Sequence, residues 1–269
     1  HEVTTLAVDG SGLCDPAALE AALRPETRLV SVQLANHETG TLQPIAELCA
    51  IARARGVPLH TDAVQAAGKL DLGEAAAGVA LLSLSAHKLG GPAGVGALVA
   101  RGGAQVAALA GGHQERGRRP GTENVIGIAG FGAAAAAARA DLDARVSRIG
   151  ALRDRLEAGL LALPGARRHG GAPRVCNTAS VGFAGAPGEL VLQALDLAGV
   201  AVSTGAACSS VTVAPSPVLL ALGLPALAAR RGVRFSLGPS TTAEEIDAVL
   251  ERLAPLLERI RAAGLEATA

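Results

Sequence analysis

The chain contains no methionine, no tryptophan and no tyrosine; its aromatic residues are three phenylalanines. With His1 in first place and no methionine anywhere, the sequence reads as a fragment, a processed product or a partial gene product. Excess charge is also missing, since 24 basic residues balance 24 acidic ones. Binding to a nucleic-acid backbone is driven by clustered positive charge, so no nucleic-acid partner is expected. The one basic cluster, "ERGRRP" at 115–120, fits either a solvated loop or an anion site. No uninterrupted apolar run reaches the roughly 18 residues of a membrane span, so no membrane partner is expected. No basic stretch leads into an apolar one at the start, so no secretory signal is read there. Four cysteines, at 14, 49, 176 and 208, form no C-x-x-C pair, which argues against zinc ribbons and thioredoxin-like chemistry and leaves no metal site in view. Their wide spacing fits free thiols in a reducing, cytoplasmic setting. A repeat of roughly 20 to 50 residues is absent, which excludes a solenoid.

What is present is apolar and patterned. Hydrophobic residues make up 49% of the 269, enough for a sizeable core in one large domain or two smaller ones. The first half alternates strand and helix signals. "TRLVSVQLA" (27–35), "VPLHTD" (57–62), "GVALLSLSA" (78–86) and "GVGALVA" (94–100) read as strands, and "PIAELCAIARARG" as a helix with Pro44 near its start and Gly56 at its stop. Such alternation indicates an α/β sheet covered on both faces. From about 124 the pattern turns helical over a stretch too long for one ordinary helix, with Gly150 or the region of Asp141 as the dividing point. Beyond Pro164, "VCNTASVGF", "VAVSTG" and "GVRFSLG" read as strands and "GELVLQALDLAG" as a helix. "TTAEEIDAVLERLAPLLERIRAAG" reads as a closing amphipathic helix, capped by Thr241 or Thr242 with Glu244 or Glu245. The division expected is a large domain over 1–145 and a smaller α+β domain over 146–269.

In open α/β sheets chemistry gathers at the carboxyl ends of strands. Asn36, Asp62 and the stretch from Ser85 to Lys88 each follow an apolar run. A strand-end lysine can be no more than a surface ammonium. Lys88, however, lies among Gly90, Gly91 and Gly94, which permit close backbone approach, and Ser85 and His87 offer donors to an anion. A lysine in such surroundings can lose its proton and form a Schiff base with an aldehyde, of which pyridoxal phosphate is the common cofactor form. That cofactor needs a carboxylate near its ring nitrogen. Asp62 supplies one, although alone it reads equally as a turn residue or helix cap, and Gln65 is placed to donate to the ring oxygen. Cys14, Cys49 and Cys176 read as buried small hydrophobes. Cys208, in "VSTGAACSSVTVAP", sits among small flexible residues that would expose a reactive thiol.

"ANHETGTLQPI", "HTDAVQAAGKL", "SAHKLGGPAGVGAL", "GGHQERGRRPGTENV", "STGAACSS" and "VRFSLGPSTTAEEID" occur in the order of the blocks of one family, over nearly the whole chain. The sequence resembles the pyridoxal-phosphate-dependent cysteine desulfurases of the class-V aminotransferase group, in the iron–sulfur branch. The resemblance implies an α/β, fold-type-I pyridoxal-phosphate transferase, with a mostly parallel large-domain sheet and a smaller C-terminal α+β domain carrying the catalytic cysteine loop. It implies that Lys88 carries the cofactor as a Schiff base, Asp62 holds the ring nitrogen and Gln65 the ring oxygen. Ser85 and His87 would bind the phosphate, and Thr122 would reach the phosphate of the partner subunit in a homodimer. Asn36 and Arg234 would grip the carboxylate of L-cysteine. Cys208 would be the nucleophile, carrying sulfur as a persulfide to an iron–sulfur scaffold or sulfur-carrier protein and contacting a partner's cluster only in passing.

His37 stands where the family often has Asn, and His113 where Gly is usual. The family's N-terminal segment, with its Gly-Thr phosphate loop and ring-stacking histidine, has no match here, so the chain is expected to lack that segment and to open within a strand at "HEVTTLAVDG". The rival readings are a selenocysteine lyase or another fold-type-I enzyme, and a non-catalytic fragment that only dimerises or binds a partner.

Overall fold

A computed structural model describes residues 1–104, 106–107, 111–205 and 214–264. Two four-stranded sheets organise it. The chain enters through α1 (Pro16–Ala22), started by Asp15, whose side chain accepts from the amide of Ala17. Next come β1 (Val30–Gln33), α2 (Ile45–Ala54), β2 (Leu59–Asp62), α3 (Leu72–Ala75), β3 (Leu81–Ser85), a 3-10 turn (Ala86–Leu89) and β4 (Gly96–Ala100). Strand order is β1-β2-β3-β4. β1, β2 and β3 run parallel, and β4 turns back antiparallel on β3. The reversal is tight: a Cβ at Gly96 would stand 2.7 Å from the carbonyl oxygen of Leu84. The apolar alternation of β1 and β2 buries Val30, Leu59 and Thr61 against Ile45, Leu48 and Cys49 of α2. Ser31, His60 and Ser83 lie on the opposite face, where the imidazole bridges both hydroxyls at 2.8 Å each.

A short helical turn α4 (Gln114–Gly117) precedes α5 (Val125–Ala140) and α6 (Leu142–Leu161). The break between the last two falls at Asp141 and not at Gly150, which lies inside α6. No single helix among the described residues is long and apolar enough to cross a membrane, and α5 and α6, which together are, meet at a bend of 73°. α5 packs on the 3-10 turn after β3, whereas α6 packs on the second sheet. That sheet holds β5 (Ala166–Arg168), β6 (Thr178–Phe183), β7 (Ser203–Thr204) and β8 (Gly232–Ser236), ordered β5-β6-β8-β7 and antiparallel throughout. α7 (Gly188–Leu197), α8 (Pro217–Ala221) and α9 (Ala226–Ala229) lie between these strands, and α10 (Ala243–Ala262) closes the chain. Its first turn has the expected capping box, formed by Thr242 and Glu245. Val181, Phe183, Val233 and Phe235 pack against Leu156, Leu195, Leu253 and Leu257 to form a core separate from that of the first sheet.

The opening residues depart from expectation. They form no named strand, and Val8 makes only an isolated bridge with Cys14. Asp9 explains the geometry: its Oδ1 accepts from Ser11 N, Ser11 Oγ and Leu13 N, which curls the chain into a turn.

A buried ion pair joins α6 to the segment between β5 and β6. Glu157 accepts from Arg174 at 2.6 and 2.8 Å and from Arg168 at 3.4 Å. The Glu157 and Arg174 side chains are 9% and 8% exposed. Burial pushes the Glu157 carboxyl up, but the Arg174 bond and charge, with Arg168, hold it below the ordinary glutamate value. A depressed carboxylate contributes stability above its unfolded pKa and loses it as pH falls through the folded value. Glu157→Ala is therefore expected to cost about 3–5 kcal/mol by leaving Arg174 unpaired, while Glu157→Met with Arg174→Met recovers most of that loss. Urea unfolding across the acid range checks both points: the wild-type loss below the glutamate range should shrink in the double variant.

Candidate active site

Parallel register brings the ends of β2 and β3 side by side, with Asp62 opposite Ser83. Asp62 accepts from Val64 N at 2.9 Å through Oδ1, and its other oxygen takes no hydrogen bond among the described residues. The chain then turns over 64–69, carrying Gln65 and Lys69. β3 ends at Ser85, whose hydroxyl lies 2.8 Å from Nδ1 of His87. Ser85 adopts extended backbone, and the following 3-10 turn carries His87 and Lys88. Gly90 ends that turn at φ 82°, a left-handed conformation that glycine reaches without strain. His87 and Lys88 are exposed, so the lysine stands at the rim of the strand ends and not in a closed pocket.

The turn after β1 adds a second set. Asn36 is 8% exposed, and its Oδ1 accepts from Glu38 N, Thr39 N and Thr39 Oγ1 at 2.9, 3.0 and 3.3 Å. The oxygen is thus spent on the turn, and its NH2 end is what remains for a ligand. Arg234, on β8, donates from Nη1 to the carbonyl of His37 at 2.9 Å. Its Nε is buried with no hydrogen-bond partner among the described residues. The imidazole of His37 senses the whole group: partial burial, Arg234 and Lys88 lower its pKa, and Asp62 opposes them. Asp62, Lys88, Arg234 and the 36–37 turn therefore converge on one place, although they come from two sheets.

Thr122 stands apart. It is exposed in the loop before α5, and no hydrogen bond among the described residues joins it to the others. Cys208 lies outside the described residues. Cys14, Cys49 and Cys176 are buried, as their sequence settings indicated.

Two neighbours escaped the sequence reading. Glu38 is 3% exposed, and its Oε2 accepts from Ser216 Oγ at 2.6 Å. Burial raises its pKa, against the Ser216 bond and the Arg234 charge. Lys69 donates from Nζ to the backbone oxygen of Gln65 at 2.9 Å and to Gln65 Oε1 at 3.0 Å. Burial lowers its pKa to about 8; Cys176 opposes that shift, while Lys88 and Arg234 add to it. The i, i+4 spacing of Gln65 and Lys69 was the available signal; for Glu38 the partner is far away in sequence and no local pattern marks it.

A sheet of parallel strands whose ends present Asp62, Ser85, His87 and Lys88, faced by an arginine from an antiparallel unit, defines the fold-type-I architecture. The aminotransferase class-V family profile matches residues 1–249, and the chain belongs to that family, whose members depend on pyridoxal phosphate. A cysteine desulfurase of Klebsiella pneumoniae is 44% identical over 265 residues, covering 97% of this chain and 66% of the relative. The chain thus spans about two thirds of the length of the curated relatives it matches. Among solved structures, a NifS-like protein superposes with TM-score 0.86 at 34% identity, covering 96% of this chain and 68% of that one. SspA in complex with cysteine superposes with TM-score 0.71 at 31% identity, covering 90% and 67%.

The raised Glu38 carboxyl yields a pH test. A carboxyl that binds its proton more tightly in the fold than unfolded loses stability as pH rises from the unfolded pKa through the folded one. The stability of Glu38→Gln relative to wild type should therefore increase across that window. Ser216 also caps α8 by accepting from Leu219 N at 3.1 Å. Ser216→Ala should cost about 1–3 kcal/mol through the lost cap and the orphaned carboxyl. Denaturant titrations from about pH 4 to 8 measure both; a flat difference for Glu38→Gln would contradict the burial argument.

Proposed function

We propose that the chain is the greater part of a cysteine desulfurase, acting on L-cysteine and passing sulfur on as a persulfide. The observation that supports it is the convergence of Asp62, Lys88 and Arg234 about His37. The donor set suits pyridoxal phosphate. Asp62 keeps a carboxylate oxygen for the ring nitrogen, Gln65 has an amide donor for the ring oxygen, and the paired Ser85 and His87 offer donors for the phosphate. Lys88 holds an exposed amine at the end of β3, whereas the Lys69 amine nearby is tied to Gln65. Bound there, the cofactor supplies an aldehyde that links to amines and a ring that draws electrons from the substrate.

This chain's residues would do the rest. Arg234 would take the substrate carboxylate, since a planar fork matches two oxygens and its buried Nε has no partner among the described residues. The Asn36 NH2 group would donate to the same carboxylate. Lys88 Nζ would move the proton at Cα. Cys208 Sγ would attack the substrate sulfur, forming a sulfur–sulfur bond as the carbon–sulfur bond breaks. The balance is simple: cysteine and a thiol become alanine and a persulfide. An iron–sulfur scaffold or a sulfur-carrier protein for thio-cofactor synthesis would then accept the sulfur.

Residues 1–145 would form the cofactor-binding unit and 146–269 the unit bearing the cysteine loop. Homodimerisation is supported by Val125 and Ile126, 70% and 87% exposed just beyond Thr122, the residue proposed to reach the partner's phosphate.

The test uses the optical silence of the chain. With no tyrosine or tryptophan, bound cofactor dominates its near-ultraviolet and visible absorbance. Lys88→Ala should abolish the bound-cofactor band and alanine release. Cys208→Ser should keep the band and form no persulfide, because serine lacks the soft, ionisable nucleophile. Arg234→Lys should raise the cysteine KM with the band unchanged. Persulfide mapped by mass spectrometry to Cys49 or Cys176 would overturn the assignment of Cys208.

A further inference from the structure

Gln65 raises a problem that its expected role leaves unanswered. A carboxamide has a donor end and an acceptor end of nearly the same shape, and it can flip between them. Only the NH2 end can donate to a ring oxygen. Gln65 sits on a turn with partial exposure, so packing alone does not choose between the two orientations.

Lys69 supplies the choice. Its Nζ lies 2.9 Å from the backbone oxygen of Gln65 and 3.0 Å from Oε1. An ammonium group has three donors and no acceptor, so the side-chain atom facing it must be the oxygen. The backbone oxygen can take nothing but a donor, and the ammonium, which has no lone pair, can offer nothing but donors to the side chain. The orientation is thus fixed by the charged form of Lys69; a neutral amine would also accept from a flipped amide. Lys69 itself is confined between the turn and the second unit, where it lines a cavity of about 480 Å³ with Leu42, Val146, Arg153 and Cys176.

We propose that Lys69 is a positioning residue: it clamps the Gln65 carboxamide by its oxygen and so keeps the NH2 end free for the ring oxygen of the cofactor. The inference rests on the placement of pyridoxal phosphate proposed above, but its first consequence is visible without the cofactor.

The experiment compares wild type, Lys69→Met, Lys69→Arg, Gln65→Leu and the Gln65→Leu/Lys69→Met pair in the full chain. Thermal unfolding accompanies each, and Lys69→Arg keeps a donor should the methionine variant fold poorly. Side-chain amide 15N relaxation of Gln65 in the absence of cofactor is the first readout. It should report an ordered amide in wild type and Lys69→Arg and a mobile one in Lys69→Met. An equally ordered amide in Lys69→Met overturns the inference whether or not cofactor binds. Titration with pyridoxal phosphate, followed by absorbance, is the second. Lys69→Met should weaken binding by about three- to tenfold, Lys69→Arg should restore most of it, and the effect should fall below about twofold in the Gln65→Leu background. An undiminished effect in that background overturns the clamp. If wild type binds no cofactor while the amide loosens in Lys69→Met, the clamp stands and the proposed function falls.

Discussion

The turn over residues 36–43 is the constraint on which the rest of the molecule depends. It leaves the end of β1 and runs along the seam between the two sheets. Buried backbone groups must find partners, and here they find them across the seam. Leu42 N donates to Pro173 O at 2.8 Å and Val175 N to Gly40 O at 2.9 Å. His37 O accepts from Arg234, and the Glu38 carboxylate accepts from Ser216. Gly40, at φ 77°, lets the chains approach: a Cβ there would meet Thr178 and Val175 at 3.1 Å. The position of Arg234 relative to Asp62 and Lys88 is therefore not set by either sheet alone. It is set by how this turn is pinned to both.

The same turn shapes the electrostatics. Burial lowers the pKa of Lys69 and of His37, and the charges of Lys88 and Arg234 lower both further. Glu38 is near enough to feel the Arg234 charge, but burial raises its pKa against that charge and the Ser216 bond. A group of cations this near is costly in the free protein and favourable once an anion enters. A phosphate on one side and a carboxylate on the other meet that condition, which is consistent with the cofactor and substrate proposed. His37 gives the site a neutral ring near neutral pH, where an asparagine would give an amide.

Much of this was legible in the sequence, and the remainder has physical reasons for being hidden. The apolar runs at 27–35, 57–62 and 78–86 became β1, β2 and β3 because alternation of Val30, Val32, Leu59 and Thr61 records which face is buried. Asp62 and Ser85 were legible because polar residues that end an apolar strand stand at its carboxyl edge. The antiparallel direction of β4 was not, since direction is decided by the connection and not by composition. "HEVTTLAVDG" has the apolar content of a strand, yet Asp9 gathers three donors and bends the chain away. The exposure of Lys88 could not be read from its small neighbours, which allow close approach without supplying it. Glu38 was missed because Ser216, its partner, is remote in the chain; Lys69 was missed although its partner was only one turn away.

Thiol chemistry shows how the fold sorts residues of one type into different uses. Cys14, Cys49 and Cys176 are 5%, 5% and 7% exposed, and burial pushes all three thiols up from their ordinary pKa. Asp15 raises Cys14 further, while nearby cations pull Cys49 and Cys176 part of the way back without reversing the shift. A thiol must become a thiolate and must be reached before it can attack sulfur. Each of these cysteines fails on both counts, Cys176 even with Lys69 beside it. For the function proposed above this arrangement is favourable, because a persulfide formed at one cysteine finds no competing thiolate among the described residues to which it could pass. The inertness of these three thiols therefore follows from where the two cores place their sulfur atoms.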